Sequence, residues 1–168
     1  MDLENLYVDK DIVEYAHERM YSYRKTTDLF IISKVIFLSG PISGHDNYEK
    51  EFLDLQKVVL NFYLDLYKNT GVDELPHMIM INPAEELKIR PKKIAEIMDK
   101  NIINGYYFTS SLLSLANTMV VNDTVEGLEN STGCKLELVQ ANMNKIKIIK
   151  ASTFPPADVY DCKNESLQ

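Results

Sequence analysis

Four short apolar runs, separated by stretches long enough to form helices, constrain the fold of this 168-residue chain more than any other feature. The runs lie at residues 31–38, 77–81, 119–121 and 145–150, with the sequences IISKVIFL, HMIMI, MVV and KIKIIK. Apolar, often β-branched runs of this length are typical of buried strands. Strands that alternate with helices form a parallel sheet, because the crossover between two parallel strands is usually a helix.

The connecting stretches carry apolar residues at helical spacing. This pattern predicts helices at residues 48–67, 91–102, 106–116 and 131–142. Between the second strand and the next helix, residues 84–90 predict a loop with a short helical turn, and Asn104-Gly105 predicts a break between two helices. We therefore predict an α/β fold, a Rossmann- or flavodoxin-like three-layer sandwich with a mostly parallel sheet of four to five strands.

The segment before the first strand also has a helical pattern. Residues 3–25 place apolar side chains among charged ones at rough helical spacing, which predicts one or two amphipathic helices. The chain then divides into a helical N-terminal extension, residues 1–30, and an α/β domain, residues 31–168. We expect the extension to pack on the core or on a partner subunit.

Composition narrows the classes of partner. A formal net charge of −7 argues against binding to a nucleic-acid polymer. Cys134 and Cys162 are too few for a disulfide framework and lack metal-ligand spacing, which favours a reducing compartment. No apolar run approaches the roughly 18 residues that a membrane span needs. We expect a cytoplasmic protein that binds neither membranes nor nucleic acid and that uses no metal and no cofactor.

The first strand runs directly into a glycine-containing turn with the sequence SGPISG, residues 39–44. Two glycines and a proline predict a tight turn in which the backbone can approach a ligand closely. The glycine spacing is neither that of a dinucleotide-binding loop nor that of a P-loop. A tight strand-to-helix turn without a ligand is therefore the alternative interpretation, and in that case His45 is a surface loop residue.

The third strand leads into a second candidate ligand-binding segment. After residues 119–121 the chain passes through a polar loop and restarts as a helix whose N-cap is Asn130 or Ser131. Open α/β sheets bind ligands beyond the carboxyl ends of their strands, and a helix N-terminus attracts anions. Glu137 adds a carboxylate within the same helix. The alternative is that Ser131 only caps the helix and Glu137 is solvated.

Two motifs resemble those of a known family. Residues 37–44, FLSGPISG, resemble the first strand and loop of the nucleoside 2-deoxyribosyltransferase-like superfamily, most closely its small phage and bacterial members with Y-I-S-G-P-I-x-G. Residues 129–137, ENSTGCKLE, resemble the E-N-S-x-G-A-x-x-E segment that follows their third strand. The helix-to-strand ending near residues 141–149 is also similar, so that the resemblance covers about residues 34–150.

The resemblance implies cleavage or transfer of an N-glycosidic bond in a nucleoside or nucleotide. Glu137 matches the catalytic carboxylate, which in that family attacks the anomeric carbon of the sugar, as the nucleophile of a retaining glycosidase does. The candidate substrate-binding residues come from the glycine turn, the end of the third strand and the start of the following helix: Ser39, Gly40, Pro41, Ile42, Gly44, His45, Asn122, Asn130, Ser131 and Gly133.

One position indicates the subclass, and two positions depart from the family. Members that act on free nucleosides carry an aspartate six residues before the glutamate, whereas Ser131 resembles the nucleoside 5′-monophosphate N-glycosidases and can bind phosphate without repulsion. Phe37 replaces a common tyrosine, and residues 108–113 lack the acid that the family usually has there. Asp123, at the end of the third strand, is then our candidate for the general acid.

Three function classes therefore stay open. The first is an enzyme that cleaves the N-glycosidic bond of a (deoxy)nucleoside 5′-monophosphate, with 2-deoxyribosyl transfer as the alternative reaction. The second is a non-catalytic protein that binds or senses a nucleotide, which the two departures favour. The third is a structural protein that binds a partner through its N-terminal helices. Because related folds often complete their pocket from a neighbouring subunit, we also expect a homo-oligomer.

Overall fold

The computed structural model describes residues 7–154, which form alternating strands and helices. The elements, in chain order, are α1 (Lys10–Phe30), β1 (Lys34–Ser39), α2 (Tyr48–Thr70), β2 (Met78–Ile81), α3 (Pro83–Ile89), α4 (Lys92–Lys100), α5 (Ile102–Leu113), β3 (Thr118–Val121), α6 (Thr132–Met143) and β4 (Lys147–Lys150). The strand of each predicted apolar run is present, although β1 begins later than predicted because Ile31 ends α1 in a left-handed conformation.

The four strands form one all-parallel sheet in the order β2-β1-β3-β4. This order is that of a flavodoxin-like sheet, in which the chain reverses its direction of travel between β1 and β3. The predicted α/β fold with a four-stranded parallel sheet is therefore confirmed. The crevice beyond the carboxyl ends of β1 and β3 is the position where such sheets bind ligands.

Helices cover both faces of the sheet because the strands are apolar on both sides. Along β1, Val35 and Phe37 join one buried cluster with α1, α4 and α5, whereas Ile36 and Leu38 join another with α2. Aromatic stacking connects the first cluster to the N-terminal helix, since the rings of Tyr15 and Phe108 lie 5.5 Å apart. The three layers predicted from the sequence follow from this alternation.

Residues 84–90 were predicted to be a loop with a short helical turn; the helical part is present, but it extends over nearly the whole segment as the two-turn helix α3. Asn82 is the N-cap, and its side chain accepts hydrogen bonds from the backbone N–H groups of Ala84 and Glu85. Pro83 occupies the first helical position, where its missing N–H has no consequence. Asn-Pro thus starts a helix at this point instead of only ending the strand.

The predicted helix break at Asn104-Gly105 is wrong. Both residues lie inside α5, and the break falls at Asn101, whose side chain accepts a hydrogen bond from the N–H of Ile103. Asn104 is buried because its side chain has two backbone partners, the carbonyl of Ile97 and the N–H of Asp9. The asparagine therefore joins three helical segments instead of separating two.

A single helix, α1, accounts for the described part of the N-terminal extension. Its N-cap is Asp9, and it is fastened to α3 by Arg19 and Tyr23, which both hydrogen-bond to the buried Glu86. The predicted start of this segment at residue 3, and the tail with Cys162, lie outside the described residues. Within residues 7–154, no helix combines the length and the apolar character needed to cross a membrane.

Candidate active site

A cavity of about 590 Å³ opens at the carboxyl edge of the sheet. Its inner side is formed by the turn after β1 and by the first turns of α6, and its outer side by the helices of the β2–β3 crossover. The residues that line the cavity include Gly40, Ile42, Tyr48, Leu87, Arg90, Met98, Asp99, Tyr106, Asn130, Ser131, Thr132, Gly133, Cys134 and Glu137. The volume lies within the range of small-molecule sites.

Ser39 and Glu137 meet at the cavity although they are 98 residues apart in the chain. Ser39 is the last residue of β1 and is fully buried, and its hydroxyl donates a hydrogen bond to Oε2 of Glu137. The second carboxylate oxygen, Oε1, has no hydrogen-bond partner within residues 7–154. Glu137 thus presents an unengaged oxygen at a cavity wall.

Burial sets the protonation of Glu137. Removal from water raises the pKa of this carboxyl to about 7, and the hydrogen bond from Ser39 partly opposes the rise. No lysine or arginine forms an ion pair with Glu137 among the described residues. Near neutral pH the side chain is therefore present in both protonation states, as the perturbed groups of active sites often are.

The first turn of α6 forms the wall next to Glu137. Ser131 is the N-cap, and its hydroxyl accepts a hydrogen bond from the N–H of Cys134. The N–H groups of Thr132 and Gly133 precede the first intrahelical hydrogen bonds, and both residues line the cavity. This end of the helix therefore offers two backbone donors and a positive dipole end to an anionic ligand.

Cys134 lines the cavity but is not an activated thiol. The side chain is buried, and this burial raises the pKa of the thiol, with a further rise from the charge of Glu137. A thiol that stays protonated near neutral pH is a poor nucleophile. Glu137 is therefore the better candidate for covalent chemistry at this wall.

The glycine turn contributes two of its predicted residues to the cavity, Gly40 and Ile42. A side chain at position 40 would lie 3.4 Å from the ring of Phe52, so glycine lets the turn pack closely on α2. Pro41 is fully buried beneath the turn, and Gly44 adopts a φ of 80°, which glycine favours. Pro41 and Gly44 therefore shape the turn and do not line the cavity.

His45 also lies outside the cavity lining. Its Nδ1 is 3.5 Å from Oε2 of Glu51. Its Nε2 lies so close to Gly127 that a Cβ atom at that glycine would be only 3.0 Å from it. His45 therefore connects the turn after β1 with the loop after β3. This position gives it a structural contact between two loops that border the cavity.

The structure does not bring Asn122 and Asp123 into the cavity lining. The N–H of Asn122 donates to the carbonyl of Ser39, and its side-chain oxygen accepts from Thr124. Asp123 accepts hydrogen bonds from the N–H and the hydroxyl of Ser152. Although burial alone would raise the pKa of Asp123, these bonds and the charge of Lys150 lower it. An ionised carboxylate engaged elsewhere cannot protonate a base in this cavity.

Comparisons of this chain with family models, curated proteins and solved structures found no match. The resemblance of the two motifs to nucleoside 2-deoxyribosyltransferase-like proteins therefore stays a prediction. What the structure adds is that residues from both motifs, Ser39 and Glu137, contact each other at one cavity.

Sequence analysis missed several residues that line the cavity, among them Tyr48, Arg90, Asp99 and Tyr106. Tyr48 follows the glycine turn directly and begins α2, so its position next to the turn was a usable signal. Tyr106 packs on the first turn of α6, since a side chain at Gly133 would lie 3.6 Å from its ring. Because the crossover helices were interpreted only through their apolar faces, the polar residues at their ends received no role.

Within residues 7–154, no group of three or more histidine, cysteine, aspartate or glutamate side chains has the arrangement of a metal site.

Proposed function

We propose that the protein cleaves the N-glycosidic bond of a (deoxy)nucleoside 5′-monophosphate by attack of Glu137 on the anomeric carbon. The observation that carries this proposal is the half-buried carboxylate of Glu137, which Ser39 holds by one oxygen at the wall of a nucleotide-sized cavity. A positioned carboxylate with an unengaged oxygen is a competent nucleophile for an oxocarbenium-like centre.

In the first step, Oε1 of ionised Glu137 forms a bond to the anomeric carbon while the bond from that carbon to the base nitrogen breaks. The base leaves with the electron pair and takes a proton. In the second step, water attacks the glycosyl-enzyme, which releases the sugar phosphate and restores Glu137. Since Asp123 lies outside the cavity lining, the proton for the base comes from water, and we expect slow turnover.

The walls suit the other parts of such a substrate. The free N–H groups of Thr132 and Gly133 favour an anionic group, and Ser131 in place of an aspartate avoids repulsion of a phosphate. The rings of Tyr48 and Tyr106 provide aromatic surface for a base.

Two alternatives use the same cavity. In a 2-deoxyribosyltransferase, a second base would attack the glycosyl-enzyme in place of water. In a nucleotide-binding or nucleotide-sensing protein, no bond would break, and the engagement of Asp123 by Ser152 favours this alternative because it removes the candidate acid. The two alternatives differ from hydrolysis in their products, so one assay separates them.

The test is to incubate the protein with a panel of ribo- and deoxyribonucleoside 5′-monophosphates, with and without a second free base, and to follow bases by chromatography. We expect release of a base from at least one monophosphate, loss of that release in Glu137→Gln, and normal release in Glu126→Gln, an exposed glutamate used as the control. Transfer would appear as a new nucleotide. Thermal stabilisation without any release would support the binding alternative, and release that survives Glu137→Gln would overturn the proposal.

We also propose a cytoplasmic homo-oligomer. Leu136, Val139 and Met143 are exposed along one side of α6, at a spacing that places them on the same helix face. Such an apolar stripe supports contact with another copy of the chain. Light scattering would test the proposal, and a monomeric mass at working concentration would contradict it.

A further inference from the structure

Among the described residues that line the cavity, Arg90 is the one lysine, arginine or histidine. It follows α3 directly and precedes α4, so its backbone is fixed between two helices. Its side chain is about four-fifths buried, with 19% of its surface exposed. A guanidinium in this position brings a permanent positive charge to the cavity.

The contacts of Arg90 within the described residues leave most of its donors unused. Nη1 lies 3.3 Å from the sulfur of Met98 and 3.5 Å from Oδ1 of Asp99. A thioether is a weak acceptor, and 3.5 Å is long for a charge-assisted hydrogen bond. The Asp99 side chain is also 71% exposed, so water screens the pair. A ligand can therefore displace this partner easily.

We propose that Arg90 determines specificity for the 5′-phosphate of the substrate, with Asp99 as its exchangeable counter-ion in the free protein. This inference rests on the proposed function, because it assigns a contact within the same cavity. It deepens that function by stating what distinguishes a monophosphate from the corresponding nucleoside. Arg90 is a binding residue here and takes no part in the bond-breaking steps.

The chemistry of the lining favours a phosphate over a neutral group at this position. A guanidinium has five donors in a planar fork and binds phosphate oxygens through two parallel hydrogen bonds. Thr132 and Gly133, at the N-terminus of α6, line the same cavity and add an end of the helix that favours anions. The partial burial of Arg90 strengthens its attraction to a phosphate, because charges attract each other more strongly at a low local dielectric constant than in water.

The experiment compares Arg90→Gln with Arg24→Gln, which removes the same charge from an exposed position on α1. Dissociation constants are measured by calorimetry for the four deoxyribonucleoside 5′-monophosphates and for the corresponding deoxyribonucleosides. For the monophosphate that binds wild type best, we expect Arg90→Gln to weaken binding about 10- to 100-fold, in line with the loss of charge-assisted hydrogen bonds. Affinity for the nucleosides should stay unchanged, and Arg24→Gln should bind both like wild type.

Unchanged monophosphate affinity in Arg90→Gln, or an equal loss for nucleosides and monophosphates, would overturn the inference. A folded Arg90→Gln protein is verified by its thermal unfolding, and Arg90→Lys provides a second variant that retains the charge but not the fork. We expect Arg90→Lys to bind the monophosphate with an affinity between those of wild type and Arg90→Gln. Asp99→Asn should bind it more tightly than wild type, and weaker binding would contradict the counter-ion role of Asp99.

The readout is binding, so it separates this inference from the proposed function. Arg90-dependent binding without release of a base would support the inference and contradict the glycosidase proposal. If Arg90→Gln binds the monophosphate as tightly as wild type and releases its base, the inference is contradicted and the glycosidase proposal is supported. The N-terminus of α6 alone would then hold the phosphate.

Discussion

Glu86 is a buried carboxylate and Glu137 is a half-buried one at a cavity wall, and their partners differ. Glu86 is 3% exposed and is held by Arg19, whose Nε and Nη2 donate over 2.8 and 2.9 Å, and by the hydroxyl of Tyr23. Glu137 has a single partner, Ser39, and no paired cation among the described residues. The first carboxylate closes a contact between two helices, whereas the second keeps an oxygen available at a cavity.

The difference shows how this chain separates stability from chemistry. A buried charge is tolerated when a cation and hydrogen bonds satisfy it, as they do for Glu86. The hydrogen bond from Arg19 to Glu86 in turn raises the pKa of Arg19, so the guanidinium keeps its positive charge beside this carboxylate. Glu137 has no such cation, and its removal from water raises the pKa of its carboxyl to about 7. This carboxyl therefore gains and loses its proton within the physiological pH range.

The largest effect is expected from breaking the pair of Glu86. Arg19→Met leaves a buried carboxylate without its cation, and we expect the free energy of unfolding to fall by about 3–5 kcal/mol. The measurement is urea denaturation at pH 7. Lys93→Met is the matched control, because it breaks the exposed ion pair with Asp11 and should change stability by no more than about 1 kcal/mol. Equal effects of the two variants would contradict the structural role of Glu86.

We expect Glu137→Gln to raise the free energy of unfolding above neutral pH, whereas Arg19→Met lowers it. Its folded pKa of about 7 lies above its ordinary value of 4.5, so the folded state holds the proton more tightly and wild type loses stability as the pH rises from 4.5 to 7. Above pH 7 we expect the variant to be more stable than wild type by up to about 3 kcal/mol, and below pH 4.5 to be equal. Denaturation across pH measures this difference. A variant less stable than wild type at pH 8 would break the comparison.

The same equilibrium should appear in activity. The nucleophile is the ionised form of Glu137, so kcat/KM for base release should rise with pH through about 7 and fall about tenfold per unit well below it. The pH profile of base release from the best monophosphate measures this limb. A flat profile between pH 5 and 7 would show that ionisation of Glu137 does not limit the reaction.

The smallest effect is expected from removing the hydroxyl of Ser39. Its hydrogen bond lowers the pKa of Glu137, so Ser39→Ala should raise that pKa further, by about one unit if the bond is of ordinary strength. The acid limb of the activity profile should then move to higher pH by the same amount. Ser43→Ala is the control, since Ser43 lines the cavity without a hydrogen bond to Glu137. An acid limb that moves to lower pH would contradict the assigned hydrogen bond.

Much of this architecture could be predicted from the sequence because it depends on local patterns. Four apolar runs and the helical spacing between them predicted the parallel sheet, and Ser131, one of the two predicted N-cap candidates, caps α6. The errors also have local causes. Residues 84–90 were predicted to be a loop with a short helical turn, although Asn82-Pro83 is suited to start a helix. Asn104-Gly105 was predicted to be a break because the distant backbone partners of Asn104 could not be foreseen.

The sequence predicted some of the residues that meet at the cavity but not their contacts. Ser39 and Glu137 were both candidates, yet nothing local indicates that a hydroxyl and a carboxylate 98 residues apart form a hydrogen bond. Asp123 was chosen because the sequence placed it at the end of the third strand, and only the tertiary structure shows that Ser152 engages it. Arg90 went unnoticed because a single arginine at a helix end is ordinary until the fold places it on a cavity wall.

The claim that Glu137, unlike Glu86, has no compensating cation among the described residues can be tested without a substrate. The measurement is a ¹³C NMR titration of the glutamate side-chain carboxyls in wild type and in Glu137→Gln. We expect one resonance to titrate with a pKa of about 7 and to be absent from the variant. A wild-type spectrum in which the Glu137 carboxyl titrates near its ordinary value of 4.5 would contradict the account.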